Sequence, residues 1–338
     1  MLFLNHLVGF GASEGSTAAL AIFGSPVLTA GENVPYAGFT VSATGGTAPY
    51  TFSVHAGTLP TGITLNSSTG AVAGTPTTAG TSSGIIIRVT DNVGATADLA
   101  SFSIVVSVVD PSFANVVLLC GFNGTDGATT APDESSSAKT LTFVGNAQID
   151  TAQSKFGGAS LLLDGAGDRV TIPDSPDWDL SDANSDQYTI EGWVRFNSSV
   201  TTGTETIVSH FATSGNLSWE FQRLGAQISL ITDSSGSGAQ TTITTTSAGL
   251  VLSTWHHLAV DKDATGKVRI YVGGVMKGSA TPANSNMFNA TTVLAIGSTG
   301  GGIRPLNGWI DELRITKGVA RYASDGGFTA PTAAYPRS

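Results

Sequence analysis

The sequence predicts an all-β protein built of two sandwiches in tandem, a smaller one followed by a larger one. Three observations carry that expectation. Only 12% of the residues are charged and 42 of the 338 are glycine. That mixture suits short strands joined by tight turns, and it starves surface helices of Glu, Lys and Arg. Apolar residues recur at every second position between turn signals, whereas no segment shows the 3.6-residue period of an amphipathic helix. The length fits two domains, and a hydrophobic share of 41% supplies a core for each.

The smaller sandwich is expected over residues 25–108. Tyr50, Phe52 and Val54 alternate with Thr51 and Ser53, the period of a half-buried strand. Gly45-Gly46 and Pro49 punctuate the chain before it. "GITLNSSTGAVAGTP" reads as a hairpin, with Ile63, Leu65 and Val72 inward and a polar turn ending at Gly70. "GIIIRVTDNVGATADLASFSIVV" reads as another, with Ile85, Ile87 and Val89 on one face and a turn at Asp91–Gly94. Asp91 and Asn92 are turn residues in this reading, not metal ligands. Strands at such short intervals point to an antiparallel sandwich of immunoglobulin type.

A short proline-containing linker, residues 109–115, leads to a longer β-rich region over 116–328, followed by a tail at 329–338. "QYTIEGWVRF" alternates, and "STWHHLAVDKDATGKVRIYVGGVMKGSA" reads as a meander turning at Asp261–Gly266 and at Gly273-Gly274. A single domain of this size with these signals is most economically a jelly roll. Cys120, the single cysteine, lies in "VVLLCGF" and reads as a small buried hydrophobe; no disulfide framework or Cys/His zinc pattern exists.

Two resemblances then emerge. "ATGGTAPYTFSV", "LPTGITLNSSTGAVAGTP" and "VTDNVGATA" resemble the Ig-like modules of bacterial surface and phage proteins. "LLCGFNGTDG", "GDRVTIPDSPDWDL", "TIEGWVRF", "WHHLAVDKDATGKVRIYVGG" and "GWIDELRITKGVARY" resemble the laminin G-like, concanavalin A-like fold, most closely the version carried by tailed-phage virion proteins. The first resemblance implies a spacer or interaction module without chemistry, and the second implies a fold and a setting; the protein is expected to be non-enzymatic and to require no cofactor.

Three constellations of side chains could carry chemistry. Retaining glycoside hydrolysis needs two carboxylates about 5–5.5 Å apart, and jelly-roll hydrolases carry them as Glu-x-Asp-x-x-Glu. None of the seven glutamates has Asp two positions on: Glu191 precedes Gly192-Trp193, and Glu312 precedes Leu313-Arg314. The five histidines, His6, His55, His210, His256 and His257, are scattered, and no nucleophile-elbow pattern accompanies them. His256 and His257 are neighbours in a strand and point to opposite faces, one ring packed and one exposed. Asp164, Asp168, Asp174, Asp177, Asp179, Asp182 and Asp186 crowd one loop-rich span. They lack the regular ligand spacing of a calcium loop and read as turn and cap aspartates.

The stretch 309–316 is read by face. As a regular strand, it puts Trp309, Asp311, Leu313 and Ile315 on one side and Ile310, Glu312, Arg314 and Thr316 on the other. Glu312 then pairs with Arg314 at the surface, while Asp311 falls on the apolar side and needs a cation or several N–H donors. It either caps loop backbone or helps hold a structural calcium. The resemblance implies the calcium, because related jelly rolls bind one through an aspartate of the last strand; Asp133 is then the second ligand.

The net charge of −10 and the lack of a basic stripe argue against nucleic acid as a partner. The apolar start, with Phe3, Leu4, Leu7, Val8 and Phe10, lacks the positive region of a secretory signal and is too short to span a bilayer. Residues 1–24 therefore read as an arm docking onto other phage structural proteins. The expected protein is a virion component, assembled in the host cytoplasm and displayed outside, present as a homo-oligomer or in many copies. Host surface polysaccharide is its expected ligand. An exported bacterial adhesin is the alternative, and a jelly-roll glycoside hydrolase comes third.

Overall fold

The structure, a computed structural model, describes residues 18–338 except Val200 and Ser214. The five apolar residues assigned to particle docking, Phe3, Leu4, Leu7, Val8 and Phe10, lie outside the described residues. The chain divides into two compact units between Val109 and Asp110.

In the first unit, Thr29–Gly31, Phe102–Ser107, Gly80–Thr90 and Thr51–Ala56 lie side by side in that order, with Thr96–Asp98 also paired to Gly80–Thr90. Phe39–Thr40, Ala71–Gly74 and Ile63–Leu65 form a separate small sheet. Ile85, Ile87 and Val89 are fully buried with Phe52, Ile63, Val72 and Ile104, so the period-2 pattern picks the inward face correctly. Val54 departs from it: a bulge between Val54 and Ala56 interrupts the ladder, and Val54 is 37% exposed. Asp91 is a turn residue, its carboxylate accepting the N–H groups of Thr47, Val93 and Ala95. Those bonds, Thr47 foremost, hold its pKa below the ordinary range.

The second unit is a two-sheet jelly roll. One sheet runs Gln148–Asp150, Ser160–Asp164, Asn307–Lys317, Tyr188–Phe196, Trp255–Lys262, Val268–Val272, Val275–Ala280, with Val116–Cys120 also paired to Asn307–Lys317. The other runs Thr142–Val144, Arg169–Ile172, Leu294–Ile296, Thr204–Phe211, Leu217–Leu224, Gln227–Asp233, Gln240–Thr244. Ile190, Val194, Leu258 and Ile270 from the first meet Trp219, Phe221, Ile228 and Leu230 from the second in one buried cluster. Each large aliphatic side chain buried there contributes about 1.5–3 kcal/mol. Cys120 is buried in the same cluster, and burial pushes its thiol well above the ordinary range. Gly273 and Gly274 turn the expected hairpin with φ of 58° and 80°, the left-handed pair that a two-residue turn demands. Among the described residues helix is confined to two short turns, Phe113–Asn115 and Pro176–Trp178.

The strand Asn307–Lys317 corrects the expected face assignment. Trp193 pairs with Asp311 and Glu191 with Arg314, so Gly192 alone faces the two residues Glu312 and Leu313. This is a bulge, with Glu312 at φ 52°. Gly192 permits it: a Cβ there would sit 3.3 Å from the Leu313 Cα. The extra residue resets the alternation, and Ile310, Leu313 and Ile315 all enter the core. Asp311 and Glu312 are not divided between the two faces as regular alternation requires; both turn away from the core.

Candidate functional site

Away from the core, the larger sheet is crossed by the chain that follows it. Asp325 meets Lys267 and Arg269 at 2.7 Å. Phe328 stacks on Tyr322 at 3.4 Å and meets Tyr271 and His257 edge-on. Tyr335 is 3% exposed, and Arg337 reaches both Glu312 and Glu134. Residues 321–338 thus form a strap from the Val268–Val272 strand to the end of Val116–Cys120. The stretch 329–338, expected as a tail, is part of this covering.

Beneath the strap lies a buried polar cluster centred on Glu191. Its side chain is fully buried. Arg314 donates to Oε1 through Nε and Nη2 at 3.0 and 2.7 Å. Tyr322 and Tyr335 donate their hydroxyls to Oε2, with His257 Nε2 3.2 Å from the same oxygen. Burial alone would raise the pKa of Glu191, but Arg314, His257 and Tyr322 outweigh it and hold the carboxyl far below its ordinary value. Asp110 closes the network from the start of the unit, accepting from Arg314 at 3.0 Å and from Arg321 at 2.7 and 2.9 Å.

The surface pair expected between Glu312 and Arg314 does not form. Arg314 belongs to Glu191 and Asp110, whereas Glu312 accepts from the Tyr335 N–H and from Arg337 at 2.7 and 2.8 Å. Both residues are buried, Glu312 completely. The bulge causes this, because it aims Glu312 at the strap rather than along its own strand.

Asp311 does meet N–H donors, as one of its two expected roles requires. Its Oδ2 accepts from Lys155 and Phe156 at 2.7 and 3.0 Å, while Oδ1 is buried without a partner. Burial pushes its pKa up to about 7 against the pull of those two N–H groups. Asp133, 7% exposed, accepts from Leu119 N, Ser135 N, Ser135 Oγ and Lys139 N at 2.8–3.0 Å. The two aspartates share no partner. Calcium needs six to eight oxygens. Here one free oxygen of Asp311 is available, and N–H dipoles that would repel a cation crowd the rest. Among the described residues no group of three or more His, Cys, Asp or Glu could hold a metal. The residues fit backbone caps, and they do not fit the structural calcium.

The remaining candidates are mostly occupied as well. His257 is buried and His256 lies nearer solvent, bonded to Val251. Asp168 is buried, accepting from Asn146 N and Asp164 N, and Asp186 accepts from Asp182 N and Ala183 N. On the other sheet, Glu220 is fully buried against Thr206 and Arg304, and Glu205 pairs with Arg223 at 2.8 Å. Asp179 is not fully occupied: it is 7% exposed with Oδ1 buried and unpartnered, as are Nδ1 of His210 and of His257 and Oδ2 of Asp233.

These features define an all-β chain in which an Ig-like domain precedes a concanavalin A-like jelly roll of laminin G type. Residues 20–107 match an Ig-domain family model, and residues 164–321 match that of the concanavalin A-like lectin/glucanases superfamily. No curated protein matches the chain. Among solved structures, the Botulinum Neurotoxin serotype G binding domain aligns at 17% identity and TM-score 0.47, covering 61% of this chain and 48% of that one. The binding domain of Paraclostridial Mosquitocidal Protein 1 aligns at 13% identity and TM-score 0.46, covering 61% and 50%. The chain spans about half the length of these structures.

Proposed function

We propose that the protein is a non-enzymatic component of a tailed-phage virion. Residues 1–24 dock it to other structural proteins of the particle, the Ig-like domain spaces it, and the jelly roll adheres to host surface glycans. Many copies per particle turn weak single contacts into firm adhesion. The observation that carries the non-catalytic part is the occupation of the buried glutamates: Glu191, Glu312 and Glu220 are each fully buried and each bonded to an arginine. A glycosidase acid needs a raised pKa and access to the scissile bond, and Glu191 at the centre of the network is held far in the other direction. The virion setting and the glycan ligand rest on module order and on the resemblance of the motifs.

A glycan array run with and without a chelator tests the adhesion. Binding that survives chelation is expected, and no binding in either condition would leave a purely structural role. Deleting residues 1–24 tests the docking: the truncated protein should be absent from purified particles, and its presence there would exclude docking through the arm.

A further inference from the structure

The loop between Pro176–Trp178 and Tyr188–Phe196 encloses a cleft of about 260 Å³ lined by Asp179, Asp182, Asp186, Gln187 and Lys317, among others. Its walls are fixed from behind. The buried Lys262 ammonium is held by the carbonyl oxygens of Ala183, Asn184 and Asp186 at 3.2, 2.7 and 2.5 Å. The Gly318 N–H donates to Gln187 O, and the Met287 N–H to Ser181 O. Into this frame comes Asp179, over nine-tenths buried and with Oδ1 accepting nothing. A buried carboxylate oxygen left unmatched costs about 1–3 kcal/mol or more, so its persistence at a cleft wall calls for a water, an ion or a ligand to complete it.

The lining narrows the ligand. The cleft is far larger than a bare ion, and Lys317 raises the cost of placing a metal there. The volume lies just under the lower end of small-ligand clefts, about 300 Å³, a size suited to one sugar ring. Three aspartates against one lysine leave the wall negative, which disfavours carboxylated or sulfated rings. We propose that this cleft binds one neutral or N-acetylated sugar residue, with Asp179 accepting hydroxyl protons and Lys317 donating to a ring or hydroxyl oxygen. The assignment rests on the glycan-adhesion reading above. Asp179 is pushed up to about 6, chiefly by burial, with Lys317 opposing and Asp182 and Asp174 adding to the rise, so its acceptor form is present at neutral pH.

The test titrates the full chain by saturation-transfer NMR with methyl glycosides of neutral hexoses, N-acetylhexosamines and uronic acids, alongside retention on host surface polysaccharide. Wild type should bind a neutral or N-acetylated glycoside and reject the uronates. Asp179→Asn and Lys317→Ala should each weaken that binding at least about tenfold. Asp98→Asn in the first unit should leave it unchanged. Asp179→Asn removes an unpaired charge and should unfold no earlier than wild type. If the polysaccharide is retained equally by wild type and both cleft variants, the cleft assignment falls and glycan adhesion stands. If wild type retains neither polysaccharide nor glycoside, both fall together. Preference for uronates overturns the ligand class.

Discussion

Glu191 and Asp179 lie in the same jelly roll, and each is more than nine-tenths removed from solvent. They nevertheless live in opposite electrostatic states. Glu191 has a cation, two phenol hydroxyls and an imidazole around it, and its pKa falls far below the ordinary value. Asp179 has an unmatched oxygen, and its pKa climbs to about 6. Asp311 is intermediate in structure, with two N–H donors on one oxygen and none on the other, and reaches about 7. Burial is common to all three, so the number and charge of the donors decide the state. The two glutamates beneath the strap, Glu191 and Glu312, have both oxygens matched, whereas Asp179 keeps one oxygen unmatched.

Loss of the arginine donor to Glu191 should cost the most. Arg314→Ala strands Glu191 as a buried, uncompensated charge and should cost about 3–5 kcal/mol in urea unfolding. The double variant Glu191→Gln with Arg314→Met should recover most of that loss. Equal losses in the single and double variants would mean that the pair is not the hub of the network.

Asp311 makes stability depend on pH in the opposite sense to Glu191. Its folded pKa, about 7, lies above the ordinary 3.8. The stability tied to its protonated form is therefore complete below about pH 4 and is lost as pH rises towards 7. Asp311→Asn, which keeps an acceptor for Lys155 and Phe156, should remove a decline of about 1 kcal/mol or more between those limits. Glu191 has the opposite sign: its contribution is present above the ordinary 4.5 and lost only in acid. A wild-type profile flat between pH 4 and 7 would contradict the Asp311 assignment.

A smaller loss is expected at Asp133. Asp133→Ala frees the Leu119, Ser135 and Lys139 N–H groups it now receives and should cost about 1–3 kcal/mol. Adding a chelator to wild type should leave the melting midpoint where it was; a fall of several degrees would restore calcium to this region. Smallest of all is Arg88→Ala in the first unit. Its pair with Asp98 is partly exposed on both sides, and thermal melting should register no resolvable change.

The hairpins were legible because their signals are local: glycine pairs at Gly273-Gly274 and alternation at Ile85, Ile87 and Val89 act within a few residues. The face assignment of 309–316 was not, because alternation assumes an unbroken ladder and one extra residue at Glu312 inverts it. The available signal was Gly192, an isolated glycine within an apolar strand opposite that point. The strap was harder still. "TAAYPRS" has no period, and only the fold brings Tyr335 and Arg337 to Glu191 and Glu312. Asp179 differs from Asp168 and Asp186 only in the donors the fold places around it, which leave no mark in the sequence.

The jelly roll is proposed to hold glycans without cleaving them. The direct measurement incubates the full chain with host surface polysaccharide and follows retention and new reducing ends together over hours. Retention with no release of reducing ends is the predicted result. Reducing ends that accumulate with time and vanish in Glu191→Gln or Glu220→Gln would contradict it.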